Sequence, residues 1–234
     1  MLRITDARTG ESTDAVTAPR GLTRVEAHVP PAADTSALRV LLVADVLARA
    51  LEIGRTPVVT VADPPAELRA RALELGIRPP ESSTAPGGQA VHVLLSDATT
   101  TDGEPVAADG VHVEVAPAHG TAEPGVLRMA LLTRPRREPV ELGDADVARA
   151  EELLTRWRKA VATWATRPSK PVPEDVKERL RAAWEDDLDV PAVLAVLLGV
   201  ESAEDMPDGA RFETYAFADR LLGLELTRDI GTLG

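Results

Sequence analysis

The segment Asp34-Thr35-Ser36-Ala37-Leu38-Arg39-Val40-Leu41-Leu42-Val43-Ala44-Asp45-Val46-Leu47-Ala48-Arg49-Ala50-Leu51-Glu52 decides how the rest of the chain is read. It offers Asp34 or Ser36 as an N-cap, whose side-chain oxygen can accept from a free helix N–H, and runs apolar until Gly54, so it predicts a helix. Upstream, Val25-Glu26-Ala27-His28-Val29 alternates as a half-buried strand would, and Pro30-Pro31 breaks it. Downstream, Pro57-Val58-Val59-Thr60-Val61-Ala62 is the β-branched run of a buried parallel strand. Strand, helix and strand at this spacing predict a right-handed crossover. In nucleotide-binding folds the first junction of such a unit holds phosphate, because free backbone N–H groups and the positive end of the helix dipole converge there.

Working outward, Leu2-Arg3-Ile4 is a short apolar piece, Glu67 to Gly76 is a short helix ended by glycine, and Ala90 to Leu95 is a second buried strand. Asp97 to Asp109 is polar and turn-rich, Val111 to Val115 alternates as an exposed strand, and Pro117 to Gly125 reads as loop. From Asp144 the period becomes helical. Val147, Ala150, Leu154, Trp157, Val161 and Trp164 form one apolar seam. Helices are also expected from Glu174, over Asp189 to Val200 and over Phe212 to Leu224. The fold class is therefore α/β: a Rossmann-like parallel-sheet domain over residues 1–138, followed by a C-terminal α-helical bundle over 139–234.

The 26 Lys and Arg residues against 38 Asp and Glu give a net charge of −12. Phosphate backbones are gripped by cations, so this balance disfavours nucleic acid, tRNA included. Residues 141–234 hold 20 acidic and 12 basic residues, which makes the helical part the poorer candidate still. With no run of 18 apolar residues and no hydrophobic signal region at the start, a cytoplasmic protein without membrane contact is expected. Cysteine is absent, which excludes disulfides and thiolate metal sites. Lysine occurs only at Lys159, Lys170 and Lys177.

Four histidines, His28, His92, His112 and His119, raise a metal reading. His92 and His112 lie on candidate strands and, with a carboxylate such as Asp97, would suit zinc or iron. Without close paired spacing the ordinary-residue reading outweighs it, and no metal or other cofactor is expected. Asp186, Asp187 and Asp189 read as helix-start acids, and Trp157, Trp164 and Trp184 as core. Ser36 at a helix start without flanking glycines reads as a cap rather than a nucleophile.

Several stretches together resemble the cysteinyl-tRNA synthetases and their relative, the cysteine ligase of mycothiol biosynthesis, which are class I aminoacyl-tRNA synthetase-like enzymes. They are Leu2 to Gly10, Arg39 with Asp45-Val46-Leu47, Leu75 to Pro80, Leu127-Arg128-Met129-Ala130-Leu131-Leu132 with Trp157, Asp186 to Leu197 and Ala218 to Leu224. The resemblance implies a synthetase-type sheet and a helical region after it. The family's His-Ile-Gly-His, which binds ATP phosphates, falls on Asp34-Thr35-Ser36-Ala37, and its Lys-Met-Ser-Lys-Ser has no counterpart because no lysine precedes Lys159. His28-Val29-Pro30 is the nearest match to its first zinc-binding Cys-Gly-Pro, and Ala90 to Asp97 is similar to a glycine-rich His…Asp strand end with the glycines replaced. The implied function is that of a non-catalytic paralogue binding a protein partner or small ligand. Its vestigial pocket would contain His28, Asp34, Ser36, His92, Asp97 and His119. The alternative is an enzyme whose repurposed pocket performs aminoacyl- or nucleotide-related ligase or transferase chemistry through Asp34, His92, Asp97 or His119.

Overall fold

A computed structural model describes residues 1–18, 21–81, 88–96, 100–101, 104–105 and 109–231. In chain order these form strands β1 (Arg3–Thr5), β2 (Ser12–Asp14) and β3 (Thr23–His28), helix α1 (Thr35–Ile53), strand β4 (Val58–Val61) and helix α2 (Ala66–Glu74). Strands β5 (Gln89–Leu95), β6 (Thr100–Thr101), β7 (Glu104–Pro105), β8 (Val111–Val115) and β9 (Ala118–His119) precede helix α3 (Pro124–Leu132) and strand β10 (Val140–Glu141). Helices α4 (Asp144–Trp164), α5 (Glu174–Glu185), α6 (Val190–Ser202) and α7 (Asp208–Leu222) complete the described chain.

The main sheet has the order β4-β3-β5-β8, with every neighbouring pair parallel. The α/β expectation holds, and α1 is the crossover from β3 to β4. One face of the sheet, carrying Val25, Ala27, Val91 and Val93, is between 0 and 7% exposed and belongs to the apolar core. Helix α1 lies on that core and also meets α2 and α7, so it is buried nearly all round, which explains its almost unbroken apolar run.

Strand β8 corrects the expectation of an exposed strand: His112, Val113 and Val115 are buried. The antiparallel pair β1 and β2 lies beside it, and the Ala7 N–H donates to the His112 carbonyl at 2.8 Å, so the sheet edge is covered. The supposed loop at 117–125 likewise contains β9, paired in parallel with β10, and the start of α3, where Pro124 occupies the first helical turn and has no N–H to leave unsatisfied. Helix α7 starts at Asp208, four residues before the apolar pattern suggested, with that acid in its first turn facing the helix dipole.

Trp157 and Trp164 stack edge-on against Tyr215 at 5.3 and 5.1 Å between ring centroids, and the Tyr215 hydroxyl donates to the Leu197 carbonyl at 2.8 Å. The apolar core runs without a break from the sheet into these helices. Strand β1 is stitched to the far end of the chain, since the Thr5 N–H donates to the Asp187 carboxylate at 2.8 Å and Arg3 forms a parallel bridge with Asp186. Among the described residues no helix is long and apolar enough to cross a membrane.

A buried ionic cluster ties α1 to the helices around it. The Asp45 carboxylate accepts from Arg49 Nε at 2.8 Å, Arg128 Nη2 at 2.9 Å and Arg78 Nε at 3.0 Å. Arg128 also donates to the Leu222 carbonyl at the end of α7 (2.7 Å) and to the Leu75 carbonyl after α2 (3.1 Å). Burial raises the Asp45 pKa, but Arg128, Arg49 and Arg78 outweigh it and hold the carboxyl below its ordinary value. Arg128→Ala leaves Asp45 with Arg49 and Arg78 but strips two carbonyls of their partner; we expect a loss of about 1–3 kcal/mol in urea denaturation.

Candidate functional site

At the start of α1 the extended Asp34 is the N-cap, and its carboxylate accepts from the Ala37 N–H at 2.9 Å. Thr35 Oγ1 donates to the Gly120 carbonyl at 2.7 Å. Ser36 Oγ donates to the Ala118 carbonyl and accepts from the Ala118 N–H, both at 3.0 Å, so this hydroxyl is an anchor for β9. Behind it the buried Arg39 donates to the carbonyls of Ala116 (2.9 Å), Pro117 (3.3 Å), Glu138 (2.7 Å) and Pro135 (2.7 Å). Burial pushes its pKa down to about 10, against the attraction of Glu138, so the guanidinium stays charged at neutral pH. The N-terminal turn of α1 is thus closed by its own carboxylate and by the 116–120 segment.

The histidines gather on the sheet. Glu26 pairs in register with His92, and His92 with His112, while His28 lies two residues beyond Glu26, so period-two alternation places all four on one sheet face. His28 Nε2 lies 2.9 Å from His92 Nδ1, where one proton joins the two rings according to tautomer. Glu26 Oε2 lies 3.4 Å from the same Nδ1, and Glu26 Oε1 accepts from Arg24 Nε at 2.8 Å. The His92 ring stands 5.1 Å from both neighbouring histidine rings, edge-on to His112. Burial, reinforced by His92, pushes the His28 pKa down to about 4 against the pull of Glu26; burial likewise lowers His92. Both rings are therefore neutral at physiological pH.

The sequence-derived pocket residues thus fall into groups. His28 and His92 touch, Asp34 and Ser36 share the helix start, and exposed His119 sits on β9 beside that start, 3.8 Å from Glu141. Asp97 lies outside the described residues. Glu26 was missed, although its place two residues before His28 on an alternating strand is the signal that finds it. Asp189 caps α6 as a helix-start acid, its carboxylate accepting from the Ala192 N–H at 3.0 Å. Asp187 departs from that reading: it adopts a left-handed backbone with φ 54° and pairs with the buried Arg136, tying β1 to the helices.

A separate cavity of about 390 Å³ opens between α2, α3, α4 and the end of α7, lined by Leu75, Val126, Leu154, Arg158, Leu224 and Arg228 among others. Arg158 Nη2 donates to the Leu224 carbonyl at 2.7 Å, whereas its buried Nε has no hydrogen-bond partner among the described residues.

No family model matches the sequence. An L-cysteine:1D-myo-inositol 2-amino-2-deoxy-α-D-glucopyranoside ligase from Streptomyces griseus is 42% identical over 108 residues, covering 44% of this chain and 25% of the ligase. The ligases of that name from Catenulispora acidiphila (37% over 91 residues, 39% and 20%) and Streptosporangium roseum (38% over 112 residues, 45% and 26%) match similarly. This chain is a partial relative of these cysteine ligases. The matched stretch spans about a quarter of their length. The thiolate-held zinc implied by the synthetase resemblance does not fit a chain without cysteine.

The closed helix start separates two effects. Ser36→Ala strips both backbone groups of Ala118 of a buried partner and should cost about 1–3 kcal/mol. Asp34→Ala removes an exposed cap and should cost about 0.5–2 kcal/mol. Thermal and urea unfolding of the two variants measure the difference.

Proposed function

We propose that this chain is a non-adenylating relative of the cysteine ligases that acts by binding, and that its ligand is small and polar. The observation that carries the first part is the self-capped start of α1. A triphosphate approaching that turn meets the Asp34 carboxylate where an anion site would offer free N–H groups, and the Thr35 and Ser36 hydroxyls are already spent on the chain itself. The missing lysine signature agrees with this, because no lysine precedes Lys159 to neutralise the phosphates.

The cavity beside α3 supports a small molecule over a protein partner. Its volume of about 390 Å³ falls in the range of small-molecule sites, and its lining mixes apolar side chains with six charged ones. Arg158 Nε lacks an acceptor among the described residues, while Glu74, Glu123 and Glu225 lie around the same space, so a compact ligand with both accepting and donating groups matches the lining.

The purified chain, given ATP, cysteine and labelled pyrophosphate, should show no cysteine-dependent exchange above background; measurable exchange overturns the non-adenylating reading. In a thermal-shift screen, ATP should leave the melting temperature unchanged. A small amino acid or sugar amine that fits the cavity should raise stability by about 2.7 kcal/mol at a hundredfold excess over its Kd. Arg158→Met, which keeps the apolar stem but leaves the Leu224 carbonyl without its donor, should weaken that ligand and cost about 1–3 kcal/mol of stability.

A further inference from the structure

We propose that Glu26, His28 and His92 form a binding site for a zinc-class divalent cation on the sheet face turned away from the α1 core. The site uses neither the helix start nor the cavity, and it stands whether or not the chain adenylates. Its argument begins with three donor atoms, one from each side chain, that all lie within 4.8 Å of one another.

Two of the three donor spacings come close to those around a bound cation, and the third, between Glu26 and His28, lies within 4.8 Å. A tetrahedral cation with ligand bonds of about 2.0–2.1 Å holds its donors roughly 3.3 Å apart. Glu26 Oε2 and His92 Nδ1 are 3.4 Å apart, and His28 Nε2 and His92 Nδ1 are 2.9 Å apart, so the rings need open by only a few tenths of an ångström once the proton between them leaves. The surrounding residues hold the donors in place. Arg24 Nε engages the other Glu26 oxygen at 2.8 Å, which fixes the carboxylate as a second layer of residues does around a metal.

The outer edge of the His92 ring is closed by the chain at Gly110. That residue has φ 81°, and a Cβ there would lie 2.3 Å from the Ala90 carbonyl oxygen and 3.3 Å from His92 Cδ2, so only glycine allows the chain to pass this close. His92 Nε2 is buried there against the Asp109 backbone, and the ring directs Nδ1 to the side where His28 and Glu26 meet. Two imidazoles and one carboxylate favour Zn²⁺ or Fe²⁺ over Mg²⁺ and Ca²⁺, which prefer all-oxygen shells. Three protein ligands leave a fourth position for water or an added small ligand. The set is sulfur-free and lies along the sheet face; His28 stands at the nearest match to the resembled family's first zinc-binding Cys-Gly-Pro, whereas Glu26 and His92 are not positions at which the resemblance places a zinc ligand.

The test uses the full chain after treatment with a chelator. Titration with Co²⁺ should give one equivalent of binding, with the visible d–d bands of a four-coordinate centre, and Zn²⁺ should displace it. His28→Gln and Glu26→Gln should each weaken binding at least about tenfold, while Glu204→Gln, on the exposed surface after α6, should bind like the parent. Circular dichroism of each variant separates loss of the site from loss of fold, and Glu26→Gln keeps the shape of a half-buried side chain. Long-range ¹H–¹⁵N spectra should show His28 Nε2 and His92 Nδ1 shifting together on Zn²⁺ addition. Absence of Co²⁺ bands and of a Zn²⁺-dependent thermal shift in the parent protein overturns the proposal, as does undiminished binding in both variants, loss of binding in His119→Gln instead, or a His28–His92 proton bridge that persists at saturating Zn²⁺.

Discussion

The carboxylate of Asp45 is the point from which the arrangement of helices is held. It is buried in the middle of α1, where an uncompensated charge would be prohibitive, and three arginines from different parts of the chain converge on it. One of them, Arg128, also reaches the carbonyls that end α7 and follow α2. A buried ion pair of this kind is weak evidence for added stability, because the charges must first be stripped of water. Its value lies in direction. Apolar side chains tolerate sliding, whereas a guanidinium with three acceptors at about 3 Å fixes which turn of α1 faces which helix end.

Arg39 and Arg136 serve loops as Arg128 serves helices. Arg39 spends its donors on four carbonyls, and Arg136 on the Glu114 carbonyl and Asp187. The planar, permanently charged fork of arginine suits this, since it can hold several carbonyls at once without losing its proton. A chain poor in lysine and cysteine thus organises its irregular segments with buried arginines, and the closed start of α1 is one result.

Much of the fold was legible because it depends on local period. The α1 run, the β-branched strands at 58–61 and 89–95, and the helical seams after Asp144 each bury a pattern that the sequence spells out. Strand β8 misled because its alternation was weighed without the β1–β2 pair that covers it, and α3 was partly hidden behind a proline that opens a helix. The candidate site was legible in pieces. Register, which no local pattern supplies, was needed to bring Glu26 level with His92 and His92 level with His112. Asp187 was opaque for the same reason: its partners, Thr5 and Arg136, are remote in sequence.

The stitch between β1 and Asp187 also bears on how the chain comes to its native state. Thr5 and Asp187 are separated by 182 positions, and the amino group of Met1 meets Glu185 across 184. Such closures carry a large loop-entropy cost before any reward, so they belong to the late part of folding. On a ribosome, the N-terminal strand would emerge long before Asp187, and its tie to the helices would form only after them. The same distant bond that ties β1 to the helices in the finished molecule thus makes the nascent one dependent on completing its helical part.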